Sequence, residues 1–217
     1  MREFNVAGIC VPHMHYMVDI SEKIEKIFKL VEGTKYFTIN RGRQYGKTTT
    51  IGMLEKRLSD DYICASISFQ YSEDEMFANE KGFCQGLLKR IHDALMFADE
   101  NEANFWLDEG VIDFYKLSAL ITKRSKGKKI VLMIDEADEA SNNNLFVKFL
   151  KMLRDKYLFR NAGKDYTFHS VILAGVYDIR NLKQKMILQG KYVPTQGESP
   201  VNSPWNIAVD FDIYMSF

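Results

Sequence analysis

Lys47 and Thr48 close the loop NRGRQYGKTTT (40–50), and Asp135 and Glu136 end the apolar run in IVLMIDEAD. A glycine-containing loop that feeds a helix suits phosphate, because glycines leave backbone N–H groups free to converge on phosphate oxygens. The unpaired N–H groups of the first helical turn add attraction for an anion. Here Gly42, Arg43, Gln44, Tyr45 and Gly46 are the expected phosphate-facing wall. Lys47 would reach the β- and γ-phosphates, the Thr48 hydroxyl would ligate Mg²⁺, and Thr49 would add a further hydroxyl. One position departs from the usual G-x-x-x-x-G-K-[ST] spacing: Arg41 stands where the first glycine is expected, and Gly42 follows it. Asp135 falls at the carboxyl end of an apolar strand, where open α/β sheets bind ligands. It would hold Mg²⁺ through water while Glu136 polarises an attacking water. Together the two motifs predict an ATP- and Mg²⁺-dependent P-loop site.

The elements that must position these residues alternate between helical and extended patterning. Ile24, Ile27, Phe28 and Val31 share a helical face, opened by Asp19 with Glu22 at capping-box spacing. Strands are expected over 34–40, 62–70, 128–138 and 166–177. The run at 128–138 is continuously apolar, as in a parallel sheet covered on both faces. Helices are expected after the loop (Ile51, Leu54, Leu58), over 73–98 (Leu87, Leu88, Ile91, Leu95) and over 111–124. Another should follow a cap among Asn142 to Asn144, with Leu145, Phe149, Leu153 and Tyr157 as its stripe. The acidic stretch 98–110 lacks a period and reads as an exposed connection. This alternation predicts one three-layer α/β/α P-loop domain over 1–217 with a parallel central sheet. Residues 1–33 lead into it, and 186–217 form an irregular segment plus a last strand (Ile207, Val209, Phe211, Ile213). Ser216 is placed like the cap of a further helix, so a helical lid is expected to be missing from this stretch of chain.

Composition narrows the partners. Lys+Arg and Asp+Glu both number 29, which argues against a surface that grips phosphate backbones everywhere but leaves room for a local basic patch. The charges in KRSKGKK (123–129) read as a solvated turn. No apolar run approaches the about 20 residues of a membrane span, and MREFNVAGICVPH lacks the apolar core of a signal peptide. Cys10, Cys64 and Cys84 are odd in number and widely spaced, which suits small buried thiols in a reducing cytoplasm. His13-x-His15 has no acid or cysteine ligand nearby and reads as a loop or packing feature.

NRGRQYGKTT, VLMIDEAD and HSVILAGVYDIRNLK, in that order, resemble the AAA-like ATPases of bacteria and archaea related to the signal-transducing STAND ATPases. HYMVDISEKIEKIF resembles the segment leading into their first strand, and SPWNIAVDFDIYMSF the segment before their helical lid. The resemblance spans nearly the whole chain. It implies phosphate and Mg²⁺ roles for Lys47 and Thr48, a metal role for Asp135 and a catalytic-base role for Glu136. It places Tyr16 and Met17 beside the adenine, with core packing as the alternative. Arg180 would stabilise transition-state charge, or else be a solvated helix-start arginine. The expected sensor position reads Gly175, Val176, Tyr177 and Asp178, without the usual Asn, Ser or Thr. A DEAD-box helicase would need a second RecA-like domain and an S-A-T motif, and a GTPase an N-K-x-D motif; none is present. The remaining rival is a nucleotide-binding switch or interaction module that turns ATP over slowly or not at all. Expected partners are the nucleotide and a second copy or another protein; charge does not indicate nucleic acid, and no membrane is expected.

Overall fold

The computed structural model describes residues 3–4, 10, 13–40, 46–70, 74–137, 139–140, 143–175, 205, 207 and 209–211. Five strands, β1 (Tyr36–Asn40), β2 (Ile63–Ser68), β3 (Ile130–Asp135), β4 (Ser170–Gly175) and β5 (Val209–Phe211), form one sheet in the order β2-β3-β4-β1-β5. Every pairing is parallel. Parallel neighbours need crossovers, and helices supply them: α2 (Lys47–Leu58) follows β1, α3 (Glu80–Leu95), α4 (Glu100–Asn104) and α5 (Phe114–Ser125) follow β2, and α6 (Asn144–Asn161) follows β3. Helix α1 (Ser21–Glu32) precedes the sheet. As its unbroken apolar run predicts, β3 is interior, paired to both β2 and β4 and buried at every position.

Strand side chains alternate between faces, so the sheet divides the core in two. Phe37, Ile39, Val131, Met133, Ile172 and Ala174 pack on α1 and α2. Tyr36, Ile130, Leu132, Ile134, Val171 and Leu173 pack on the layer of α3, α5 and α6. This is the three-layer α/β/α arrangement expected from the sequence. Among the described residues no helix is long and apolar enough to cross a membrane.

Three local readings need correction. The helix expected over 73–98 is broken. A 3-10 turn (Asp74–Phe77) precedes α3, and the Asn79 side chain caps α3 by accepting from the Gly82 N–H at 2.9 Å. The stretch 98–110 is not simply an exposed connection. Asp99 caps the short helix α4, Ala103 and Trp106 are buried, and the Trp106 ring stacks on Phe168. Acidic Glu102 is buried there because Arg124 donates to it at 3.0 Å and Lys128 also pairs with it. Two charges of KRSKGKK therefore hold α4 in place, while the turn itself, at Gly127 (φ +73°), is exposed. Finally, Asp19 is not the cap residue of α1: Ile20 is, and Asp19 accepts from the Ser21 N–H at 2.9 Å from one position earlier.

Candidate functional site

Alternation along β3 decides where Asp135 points. It shares a parity with Val131 and Met133, which pack on α2, so its carboxylate faces the first turn of that helix. There Thr48 donates its hydroxyl to Asp135 Oδ2 at 2.7 Å, a contact between residues 87 positions apart in sequence. The other oxygen, Oδ1, accepts the Glu136 N–H at 2.9 Å. Asp135 is only 8% exposed, and Lys47, at the first position of α2, is buried.

The helix start is built for a close approach. Gly46 precedes α2 at φ +74°, a left-handed conformation that glycine adopts without a Cβ penalty. A Cβ there would meet nothing within 4 Å, so conformation and not space calls for glycine. The Gly46 carbonyl accepts from both the N–H and the hydroxyl of Thr50, each at 2.8 Å. The cap residue of α2, Gly46, offers no side-chain acceptor, in contrast to the Asn or Asp caps of α3, α4, α5 and α6, which accept a backbone N–H. A helix start whose cap residue has no side-chain acceptor is the kind of terminus at which anions bind.

At the strand end, Glu136 is left-handed too, at φ +51°. For a glutamate that costs on the order of 1 kcal/mol. Three hydrogen bonds of its turn's backbone hold it: its N–H donating to the Asp135 side-chain Oδ1, its carbonyl accepting from the Glu139 N–H, and the next N–H, of Ala137, donating to the Ala174 carbonyl of β4 at 2.9 Å. The turn lifts Glu136 out of the sheet beside Asp135 while keeping it half-buried. Both ends lie where crossovers diverge. From β1 the chain crosses toward the β2 edge, whereas β2→β3 and β3→β4 run the other way. Ligands bind at such switch points outside the carboxyl ends of strands.

Lys47, Thr48, Asp135 and Glu136 are therefore brought to one place, and Thr49 lies one residue further along α2. Its hydroxyl accepts the Cys10 N–H at 3.2 Å, a contact that sequence could not signal because a backbone donor carries no residue signature. Tyr16 is 53% exposed and packs its ring on Phe4 at 5.1 Å, on a short Glu3–His15 bridge. The core-packing alternative for Tyr16 is thereby excluded; Met17 is half-buried. Gly42, Arg43, Gln44, Tyr45 and Arg180 lie outside the described residues, as do Val176, Tyr177, Asp178 and Ile213.

The oxygen pair of Thr48 and Asp135 fits a hard divalent cation. Mg²⁺ is commonly held by one or two carboxylates with phosphate oxygens and waters, not by an all-protein cage. Among the described residues there is no group of three or more His, Cys, Asp or Glu that could hold a metal. Cysteine offers no competing chemistry in the core: burial pushes the Cys64 and Cys84 thiols up to about 12, far from a reactive thiolate at neutral pH. No family model matches the chain, and no curated protein matches it.

Proposed function

We propose that this domain binds Mg²⁺-ATP at the carboxyl end of β1 and β3 and hydrolyses it. The observation that carries the reading is the 2.7 Å contact of Thr48 with Asp135, which joins an uncapped helix start to an interior strand end. Lys47 and the N–H groups of the first turn of α2 would bind the β- and γ-phosphates, with the loop from Gly42 to Gly46 as the wall. Thr48 and Asp135 would hold Mg²⁺, which neutralises phosphate charge when bound. Glu136, lifted beside Asp135, would accept a proton from a water attacking the γ-phosphorus as the bond to the β-phosphate oxygen breaks. Arg180 is the proposed source of positive charge for the departing phosphates, and Tyr16 and Met17 the proposed adenine contacts. A cytoplasmic setting agrees with three free cysteines.

Arg41 in place of the first loop glycine favours a second reading, a switch that binds ATP but turns it over slowly. Nucleotide affinity and single-turnover hydrolysis, measured on the same preparation, separate the two. Hydrolysis needs a phosphate burst that Glu136→Gln abolishes. The switch needs tight binding without the burst. No binding at millimolar nucleotide overturns both.

A further inference from the structure

At the opposite end of the sheet, about 20 Å from the strand ends that carry Asp135, three loops meet. They are 33–35 before β1, 126–129 before β3 and 162–169 before β4. Arg160 ties the first to the third, donating to the carbonyls of Thr34, Phe168 and His169 at 2.8, 2.8 and 2.9 Å. Backbone bonds tie in the second: His169 N–H to Ile130 at 2.7 Å, and Ile63 N–H to Lys129 at 2.9 Å. On this fixed floor stand aromatic rings with lysines over them. Lys126 lies 5.9 Å from the Tyr166 ring centre, and Lys129 lies 5.5 Å from that of Tyr62. Tyr62 in turn packs on the His169 ring at 5.1 Å. Tyr166 is 48% exposed, and Lys126, Lys129 and Lys164 are all exposed.

The acids nearby are mostly committed elsewhere. Asp165 pairs with buried Lys156 at 2.7 Å, and Glu102 with Arg124 and Lys128. Glu32 and Asp61 act on Tyr62, and they bound the surface on its α1/α2 side. The net field is felt at His169, whose pKa burial lowers first and the positive charges of Arg160 and Lys129 lower further. A zero net charge over the chain thus conceals a local cationic surface with flat rings set into it. Lysines alone would suit any polyanion. The half-exposed Tyr166 beside them suits one that also offers planar bases, since base–aromatic stacking adds to phosphate contacts on single strands. A membrane surface would ask for protruding aliphatic residues, and 126–129 is Lys-Gly-Lys-Lys.

We propose that Lys126, Lys129, Lys164 and Tyr166 form a binding surface for single-stranded nucleic acid, at the sheet end away from the candidate nucleotide site.

The test is fluorescence anisotropy of labelled oligo(dT) and oligo(rU) with the full chain, at about 50 and about 200 mM salt. Parent protein should bind at least one oligonucleotide, more weakly in higher salt, and the preferred sugar identifies the natural strand. Lys126→Glu combined with Lys129→Glu should weaken binding at least ten-fold and flatten its salt dependence. Tyr166→Ala should weaken it roughly five-fold or more, and Tyr166→Phe should restore it, a split that a merely structural tyrosine would not give. Circular dichroism of each variant confirms folding. Lys47→Ala should bind oligonucleotide like the parent, so failure of the ATP reading leaves this one standing. Unchanged binding after the double charge reversal overturns the proposal. So does heparin binding of equal strength that ignores Tyr166, or binding to phosphatidylserine vesicles without binding to either oligonucleotide.

Discussion

Glu136 combines two constraints in one residue: a left-handed backbone and, on the proposed function, a carboxylate that must act beside Thr48 and Asp135. Glycine would relieve the first and delete the second. Glu136→Gly should therefore melt no lower than the parent while losing turnover. Glu136→Gln keeps the strain and the nucleotide affinity but should reduce the chemical step by about 10²-fold or more, the usual worth of a positioned base. A single-turnover assay alongside a melting curve checks both; equal turnover in Glu136→Gln would remove Glu136 from the role. At this scale the sequence was most informative. Lys47, Thr48, Asp135 and Glu136 stood out because their types and spacing place them at element ends, and the fold brings the two ends together through Thr48 and Asp135. The left-handed turn at Glu136 did not stand out, since glutamate gives no hint of positive φ. Cys10 on Thr49 is equally silent, being a backbone contact.

The helices on the far face from α2 show how one element depends on another. Gly82 sits where an added Cβ would come within 2.5 Å of the Glu75 carbonyl oxygen, and Gly86 where it would meet the Met76 side chain at 2.8 Å. A backbone oxygen cannot step aside as a methionine can. Gly82→Ala should thus destabilise by about 1–3 kcal/mol despite the better helix propensity of alanine, and Gly86→Ala by less. Urea denaturation of the two variants checks the order. Glu102→Ala should cost about 2–3 kcal/mol by leaving Arg124 half-buried and unpaired, the lower end applying because Lys128 stays partly in water. This pairing is why 98–110 was illegible from pattern alone. Its acids suggested solvent, but Glu102 faces inward toward cations that lie more than twenty positions downstream. Long amphipathic stripes such as those of α1 and α3 were readable because the period is local. The break at Asn79 turned on a single cap.

Over the whole molecule, sheet order joins the two ends that matter, with β1 and β3 separated by β4 yet delivering their carboxyl ends to one edge of the core. The loops at the other end hold a histidine whose protonation couples to folding. His169 is held below its ordinary value, first by burial and then by Arg160 and Lys129. Its unfolded form takes up a proton near pH 6.5 that the native form resists, so folding stability is full above that pH and falls as the pH drops below it. His169→Gln should flatten the urea midpoint between about pH 5 and 7 relative to the parent; an unchanged slope would count against the histidine. Melting in the presence of nucleotide tests the central claim most directly. A ligand at about one hundred times its Kd adds about 2.7 kcal/mol, which for a 217-residue chain is a rise of roughly 5–10 °C. Mg²⁺-ATP should give that rise in the parent and in Glu136→Gln, and a much smaller one in Lys47→Ala. No rise at millimolar Mg²⁺-ATP, or the same rise in Lys47→Ala, would contradict the account.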